Sequence, residues 1–466
     1  MDRVARPLIE EVREDLLPLI EERRDGALRA ILLNLHPADI AAVLTLHNDE
    51  EEQVYLFGLV DNQEMASGIL AELPPPVRET IMAQMLHEDL ADLVEEMESD
   101  DAADLVQELS EETANRVLDV MEPEEAAQVR PLLEYAEDTA GGIMATEALT
   151  IELGARVGDA RNAVRAVEEG LETYFFLYVI SPDRRFQGIL SMRDLVIARS
   201  DMLVRDVMDA DPVTVGPEMD QEEVANIFRR YDLVAVPVVD KDGFFLGRIT
   251  VDDVVDVVWE EAGEDMARMA GTADEELDEL SARRIAMLRL PWILISLLGG
   301  LLAGAVLRLF TGSLGLVALV LITFVPVITA MGGNAGSQSA IIMVRRLALH
   351  PVGALERGHI VLREARVGIF LGLMCGVIVG VAAYVWLGEW FYGLVVGVAM
   401  VVAILVAATM GTVVPLAFRK IKVDPAIATG PFVSMTNDVL GLFIYFGLAT
   451  LLLDLGGFLT PDRLSP

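Results

Sequence analysis

The sequence predicts a multidomain membrane protein: an N-terminal α-helical superhelix, tandem α/β repeats, a connecting helix and a five-helix α transmembrane domain. Three observations predict it. Charge is divided unevenly along the 466 residues: positions 1–287 carry 67 acidic and 24 basic side chains, a net of -43, whereas 288–466 carry 7 and 11, a net of +4. A motif of 12 residues recurs early in the acidic part, and five long apolar segments fill the remainder. One soluble globule does not combine a net charge of -39 with 53% hydrophobic residues, so the two properties belong to different segments.

The acidic part repels the phosphates of nucleic acid, which therefore is not a partner. It suits solubility or a surface that collects cations. The lone Cys375 excludes a disulfide framework or a thiolate metal site within one chain. Five histidines form no zinc-type cluster, and neither a Walker A motif nor a nucleophile–base pair occurs, so no enzyme is expected. The start is charged from Asp2 onward and lacks an apolar signal core, which leaves the first ~280 residues expected in the cytosol.

Residues 1–24 are expected to form an N-terminal helix or extension, and 25–136 the superhelix. Leu93, Leu105, Val117 and Val129 share one repeat position, and Met97, Leu109, Met121 and Leu133 another. Ala102, Ala114 and Ala126 share a third. The clusters Glu98-Ser-Asp-Asp101 and Glu122-Pro-Glu-Glu125 lie between them and read as acidic caps opening short helices. A single short helix cannot bury its apolar face, so neighbours must stack.

Between about 139 and 258 the pattern becomes strand–helix–strand–strand–helix, twice, over 139–200 and 201–258. Gly188-Ile-Leu-Ser191-Met-Arg-Asp194 recurs as Gly247-Arg-Ile-Thr250-Val-Asp-Asp253. Glycine there frees the backbone, the hydroxyl can reach a phosphate, and the Asp can accept from a ribose. A connecting helix and linker follow over 254–285, with Asp256, Glu260, Glu261, Glu264 and Asp265 among apolar residues.

The transmembrane domain, 286–466, holds apolar segments at about 288–310, 314–343, 367–388, 392–418 and 432–454, each long enough to cross a hydrocarbon core of ~30 Å. Arg345, Arg346, Arg357, Arg363 and Arg366 follow the second segment, and Arg419, Lys420 and Lys422 the fourth. Basic loops face the cytosol, which puts the N-terminus inside and the C-terminus outside the cell membrane.

Asp438 is the one acidic residue expected well inside a span. A carboxylate in lipid is costly unless paired or hydrated, and a cation in a wet cavity is its natural partner. Ser434 lies one turn before it and Gly441 nearly one turn after, on the same face, with Asn437 adjacent. In the second segment, Asn334 and Gly336 belong to a run of glycines suited to an unwound helix or to close backbone packing beside a pore. Magnesium keeps most of its waters and needs few carboxylates. Two copies of Asp438 about a two-fold axis would suit it better than a bare potassium ion.

The order of these parts resembles the MgtE family of magnesium channels. Thr139-Ala-Gly-Gly-Ile-Met144, Gly332-Gly-Asn-Ala-Gly-Ser-Gln338 and Asn437-Asp438 carry the resemblance, which covers the chain from about residue 25. It implies a homodimer in membrane lipid with one axial pore, Mg2+ as both substrate and regulator, and CBS folds for the two repeats. The pore carboxylate then falls on Asp438. Sensing carboxylates fall on Asp100 and Asp104, on Glu218 and Asp220, and on Asp253, Asp256, Glu261, Glu264 and Asp265. ATP between the CBS repeats would meet Arg193, Asp194 and Phe176. Position 218 is Glu where the family favours Asp, Gly430 stands where an Asn can occur, and Phe176 lacks the hydroxyl that an aromatic there can carry. A broader divalent transporter for cobalt or manganese, and a CBS-regulated sensor that conducts nothing, are alternatives that the residues leave open.

Overall fold

The computed structural model describes residues 9–47, 49–167, 175–273, 276, 281–314, 316–349 and 354–456. The start of the expected N-terminal extension, parts of the expected linker and the C-terminal end lie outside them. The chain divides into two units, Met1–Glu261 and Ala262–Pro466.

In the first unit, short helices run from Ile9–Glu21 to Pro123–Val129. Each packs mainly on the next but one: Pro37–Leu46 on Gln63–Glu72, that on His87–Glu95, and that on Glu111–Val120. The twelve-residue pattern is the core of this stack. Leu93, Leu105, Val117 and Val129 are buried, and Met97, Leu109 and Leu133 pack against them. The caps differ from expectation. Glu98 and Glu122 occupy the cap positions without a side-chain cap bond. Their neighbours Asp100, Asp101, Glu124 and Glu125 instead fill the first turn, where the helix dipole favours negative charge. Ser110 is a bonded cap, accepting from Thr113 N.

The first α/β repeat forms a sheet of β1 (Thr150–Glu152), β2 (Phe176–Ile180) and β3 (Phe186–Ser191), with β1 parallel and β3 antiparallel to β2. The second keeps the antiparallel pair β4 (Ala235–Val239) and β5 (Phe245–Thr250). Its leading strand shrinks to one parallel bridge, Val215 to Val238, between Pro212 and Pro217. Each repeated glycine lies beside a carbonyl of a neighbouring segment. A Cβ on Gly247 would sit 2.5 Å from Ala145 O, and one on Gly188, at φ +151°, would collide with Asp209 O. The cores are unequal. Val224, Phe228, Val236 and Ile249 continue the superhelix core, whereas Val157, Leu177, Leu190 and Val204 form a separate one.

Arg248 ties this unit together. It is 2% exposed. Its Nε donates to Glu147 O at 2.7 Å, and its Nη2 pairs with Glu98 Oε2 at 3.2 Å, joining β5 to the superhelix. Arg248→Met leaves a carboxylate and a carbonyl without that fork. The first thermal transition of the full chain should fall by roughly 5–10 °C, as expected for breaking a buried pair. An unchanged transition in scanning calorimetry would show that the pair holds nothing.

In the second unit, four helices among the described residues are long and apolar enough to cross a membrane: Ala282–Gly312, Arg357–Leu387, Trp390–Lys420 and Gly430–Leu455. The expected second span is broken into Leu316–Ile322 and Val325–Leu349. Pro326 has no N–H to return to Ile322, and Phe324 N turns to Leu321 O at 3.1 Å. The hydroxyl of the buried Tyr445 donates to the same Leu321 carbonyl at 2.9 Å. Trp390–Lys420 is central: 56% of its apolar window is buried, against 6% for Ala282–Gly312, most of whose leucines face outward. Gly368, Gly372, Gly376 and Gly380, one per turn, let that central helix approach at Val401, Gly397 and Gly393.

Candidate ion-binding sites

Carboxylates of the first unit converge where the superhelix meets the connecting helix, Val251–Ala270. Asp100 is 7% exposed, and its Oδ1 accepts from Asp101 N at 3.1 Å. Burial, then the charges of Asp253, Asp101 and Glu98, push its carboxyl well above the usual range. Burial followed by Glu98, against the pull of Arg78 and with Asp256 nearby, brings Asp101 to about 6. Burial, then Asp101 and Glu137, brings Asp104 to about 7. Asp253 rises to about 6 through burial, although its bonds from Thr250 pull it down. Asp104 also lines a cavity of about 560 Å3 with Glu108, Glu137, Asp138, Glu260 and Arg78.

The donors are hard oxygen atoms, the set that suits a hydrated divalent cation. Among the described residues no three ligating side chains are gathered closely enough to hold a bare ion.

In the second unit, Asp438 lies half-buried on Gly430–Leu455, with Ser434 and Gly441 on its face. Asn437 is 4% exposed, and its Nδ2 has no hydrogen-bond partner among the described residues. It lies against Gly336, where a Cβ would strike that nitrogen, and Gly411 of the central helix meets Gly336 from the other side. The glycine motif therefore stays helical and serves close packing; the unwinding lies upstream at Thr323–Phe324. Asn334 is exposed.

Profile comparisons match residues 325–448 to MgtE, described as a divalent cation transporter. Residues 35–138 match the MgtE intracellular N domain, and 204–260 a CBS domain. The magnesium transporter MgtE of Bacillus subtilis is 33% identical over 319 residues, 68% of this chain and 70% of its own length. That of Thermus thermophilus is 33% identical over 325 residues, 69% of this chain and 72% of its own. The chain belongs to the MgtE family. Among solved structures, the cytosolic domain of the Mg2+ channel MgtE in complex with ATP is 31% identical and covers 53% of this chain and 99% of that one, with a TM-score of 0.48.

Of the residues that the MgtE resemblance singled out, Asp100, Asp104, Asp253 and Asp256 come together on one acidic face of the first unit. Others have local work. Asp220 caps Gln221–Tyr231 by accepting from Glu222 N at 2.9 Å. Glu218 is exposed, near Tyr135, whose hydroxyl is pushed up by burial and then by that charge. Glu261 accepts from the buried Gln221 Nε2 at 2.8 Å. In the second unit, Glu264 pairs with Arg268 one turn on, and Asp265 is half-buried beside it.

The two matching hydroxyl–Asp motifs of this MgtE member have parted company. Ser191 and Asp194 cap Met192–Ile197, with Ser191 Oγ 2.6 Å from Asp194 Oδ2, and they line a cavity of about 580 Å3 with Phe175, Phe176, Arg193 and Asp209. Thr250 Oγ1 likewise donates to Asp253 Oδ2, at 2.9 Å, but the backbone bond runs the other way, from Thr250 N to the same oxygen, and Asp253 lies in the acidic cluster.

One buried carboxylate on a long apolar helix escaped the sequence. The third long helix starts at Ala354, earlier than expected, so Glu364 falls within the apolar span Arg357–Leu387. It is 8% exposed, with Ser339 Oγ 3.4 Å from its Oε2. Arginines at 357, 363 and 366 drew the expected boundary past it; their spacing on a helix is the signal that could have kept it in.

Proposed function

We propose that this chain is a magnesium-selective channel or transporter that admits Mg2+ across the cell membrane and closes when the same ion binds its cytosolic part. One observation carries the reading: Asp438 is held on an apolar helix that packs through Asn437 against the glycine motif, in a family whose curated members are named magnesium transporters. Two Asp438 side chains across a homodimer axis would touch a hydrated ion through water, which asks little dehydration of magnesium. Leu316–Ile322 and Val325–Leu349 together make the fifth crossing in this reading, with the N-terminus cytosolic and the C-terminus outside. Ser434, Gly441, Asn334 and Gly336 line or shape the path. Magnesium uptake into vesicles containing the pure protein and a magnesium-sensitive dye tests the proposal. Uptake no faster than in protein-free vesicles would overturn it.

Gating follows from charge. The carboxylates of the superhelix and of the connecting helix repel one another when ionised and cation-free. With magnesium held between Asp100, Asp104, Asp253 and Asp256 through water, the two surfaces close on one another. Binding that favours one of two states shifts their ratio by its differential affinity. Glu218, Asp220, Glu261, Glu264 and Asp265 are further candidates for sharing ions across the dimer. The cavity beside Phe176 is large enough for an adenine nucleotide such as ATP, with the Phe176 ring against the base and Arg193 toward the phosphates.

The raised carboxyls give this a pH signature. Unfolded Asp titrates at about 3.9, below the folded values near 6 and 7, so folding takes up protons in that window and stability falls as pH rises through it. In chelator, the thermal midpoint of the first unit should fall between about pH 5 and pH 8. Millimolar magnesium should restore it strongly at the higher pH and barely at the lower. An equal magnesium effect at both would place the ion elsewhere.

A further inference from the structure

The buried carboxylate of Glu364 has no part in the function proposed so far, and its surroundings do not favour it. It is 8% exposed on the helix Ala354–Leu387, and the side chain facing it, Ser339, is 6% exposed. Its polar partners among the described residues are Ser339 Oγ, 3.4 Å from Oε2, and the half-exposed Arg363, 3.5 Å from Oε1. Both distances lie at the outer edge of hydrogen bonding and offset little of the desolvation of a charge. One turn from each residue, Ile360 and Met343 belong to an apolar cluster with Leu347. A carboxylate kept under these conditions on an apolar helix points to a function rather than to stability.

The hydroxyl of Ser339 is turned away from its own helix. Thr329 on the same helix, and Thr409, Thr412 and Thr436 on its neighbours, donate to the carbonyl four residues earlier at 2.7 to 3.3 Å. The same bond from Ser339 would end on the carbonyl of Ala335, but its hydroxyl faces Glu364 instead. A hydroxyl bonded back in this way tends to bend its helix. A bend here would fall at Ala335–Gly336, where the packing leaves no room for one. A Cβ on Gly336 would strike the amide of Asn437, and one on Gly411 would strike the Gly336 carbonyl.

Resting on the proposed passage of magnesium past Asp438, we infer that Glu364 is a positioning residue for that path: by holding the hydroxyl of Ser339 away from Ala335 O, it keeps the glycine-motif helix straight where Gly336 seats Asn437. It does not touch the ion. The contacts run from Glu364 to Ser339, back one turn to Gly336, across to Asn437 and so to its neighbour Asp438. A carboxylate is a stronger acceptor than a peptide carbonyl, so it wins the hydroxyl even at this distance. Arg363 takes the other carboxylate oxygen and leaves Oε2 to Ser339.

The test uses the full chain in dye-loaded vesicles, with initial uptake measured against outside magnesium. Glu364→Leu frees the hydroxyl and should raise the half-saturating magnesium about fivefold, less than the roughly 10–100-fold lost when a group bonded directly to a metal ligand is removed. Its thermal midpoint should not fall, because an apolar side chain of similar volume replaces a buried charge. Glu364→Met should read the same and serves if the branched chain does not fit. Ser339→Ala removes the hydroxyl that would bend the helix and should behave like the parent. Glu364→Gln keeps an acceptor oxygen and should fall between parent and Glu364→Leu. The decisive variant is the double one: adding Ser339→Ala to Glu364→Leu should bring half-saturation back nearly to that of the parent, an effect that general loosening of the fold would not produce. Parent-like uptake by Glu364→Leu and Glu364→Met, loss of the fold in both, a double variant no better than Glu364→Leu, or Glu364→Gln or Ser339→Ala as impaired as Glu364→Leu would overturn the assignment. A parent chain that takes up no magnesium would instead overturn the proposed function itself.

Discussion

Asp438→Asn should reduce magnesium uptake by about a hundredfold or more, with the protein still folded and assembled in detergent. The expectation follows from what surrounds the residue. Gly430–Leu455 is apolar over most of its 26 residues, and Asp438 is the acidic group in its inner turns, with Asp454 at the end. A neutral amide there can bind water but cannot offset the charge of a divalent ion in a low-dielectric path. Asp438→Glu keeps the charge on a longer arm and should retain partial uptake. The measurement is initial dye signal per folded protein. Parent-like uptake by the Asn variant would remove Asp438 from the path.

Gly336→Ala should also lower uptake, for a different reason. Its Cβ would strike Asn437 Nδ2, and an Ala at 411 would strike the Gly336 carbonyl. Neither obstacle is a flexible chain end: one is an amide that is 4% exposed, the other is backbone. Overpacking of this kind costs about 1–3 kcal/mol in a well-packed core and moves the helices apart. Because Asn437 adjoins Asp438, the displacement reaches the carboxylate, and uptake should fall by at least about tenfold. Gly333→Ala is the control, since its Cβ would meet nothing within 4 Å. Parent-like uptake in Gly336→Ala and Gly411→Ala would show that the three helices do not close on one another in this way.

Much of the architecture is written locally and so is readable. The twelve-residue period marks the buried line through Leu93, Leu105, Val117 and Val129 because each short helix repeats the same environment. The division of charge between the two halves follows solvent, and Asp438 stands out because few acids share its surroundings. What escapes the sequence depends on partners far along the chain. At the break at Thr323–Phe324, Leu321 O accepts from Phe324 N and also from the Tyr445 hydroxyl, 124 residues away. The role of Arg248 depends on Glu98, 150 positions earlier, which pairs with it. Ser191–Asp194 and Thr250–Asp253 are alike as sequence, and only the superhelix packed against the second makes one part of a cavity and the other part of a charge cluster. Gly332–Gln338 announced close packing or unwinding without saying which, and Gly411 and Asn437 decide for packing.

The central claim is that one ion both passes Asp438 and, from the cytosolic side, stops its own passage. Inside-out membrane patches carrying the full chain test it most directly, with magnesium as the permeating cation and the cytosolic face stepped from micromolar to millimolar magnesium. The account predicts a magnesium current at the low concentration that falls steeply and reversibly at the high one. A current that persists unchanged at millimolar magnesium, or no magnesium current at either concentration, would contradict it.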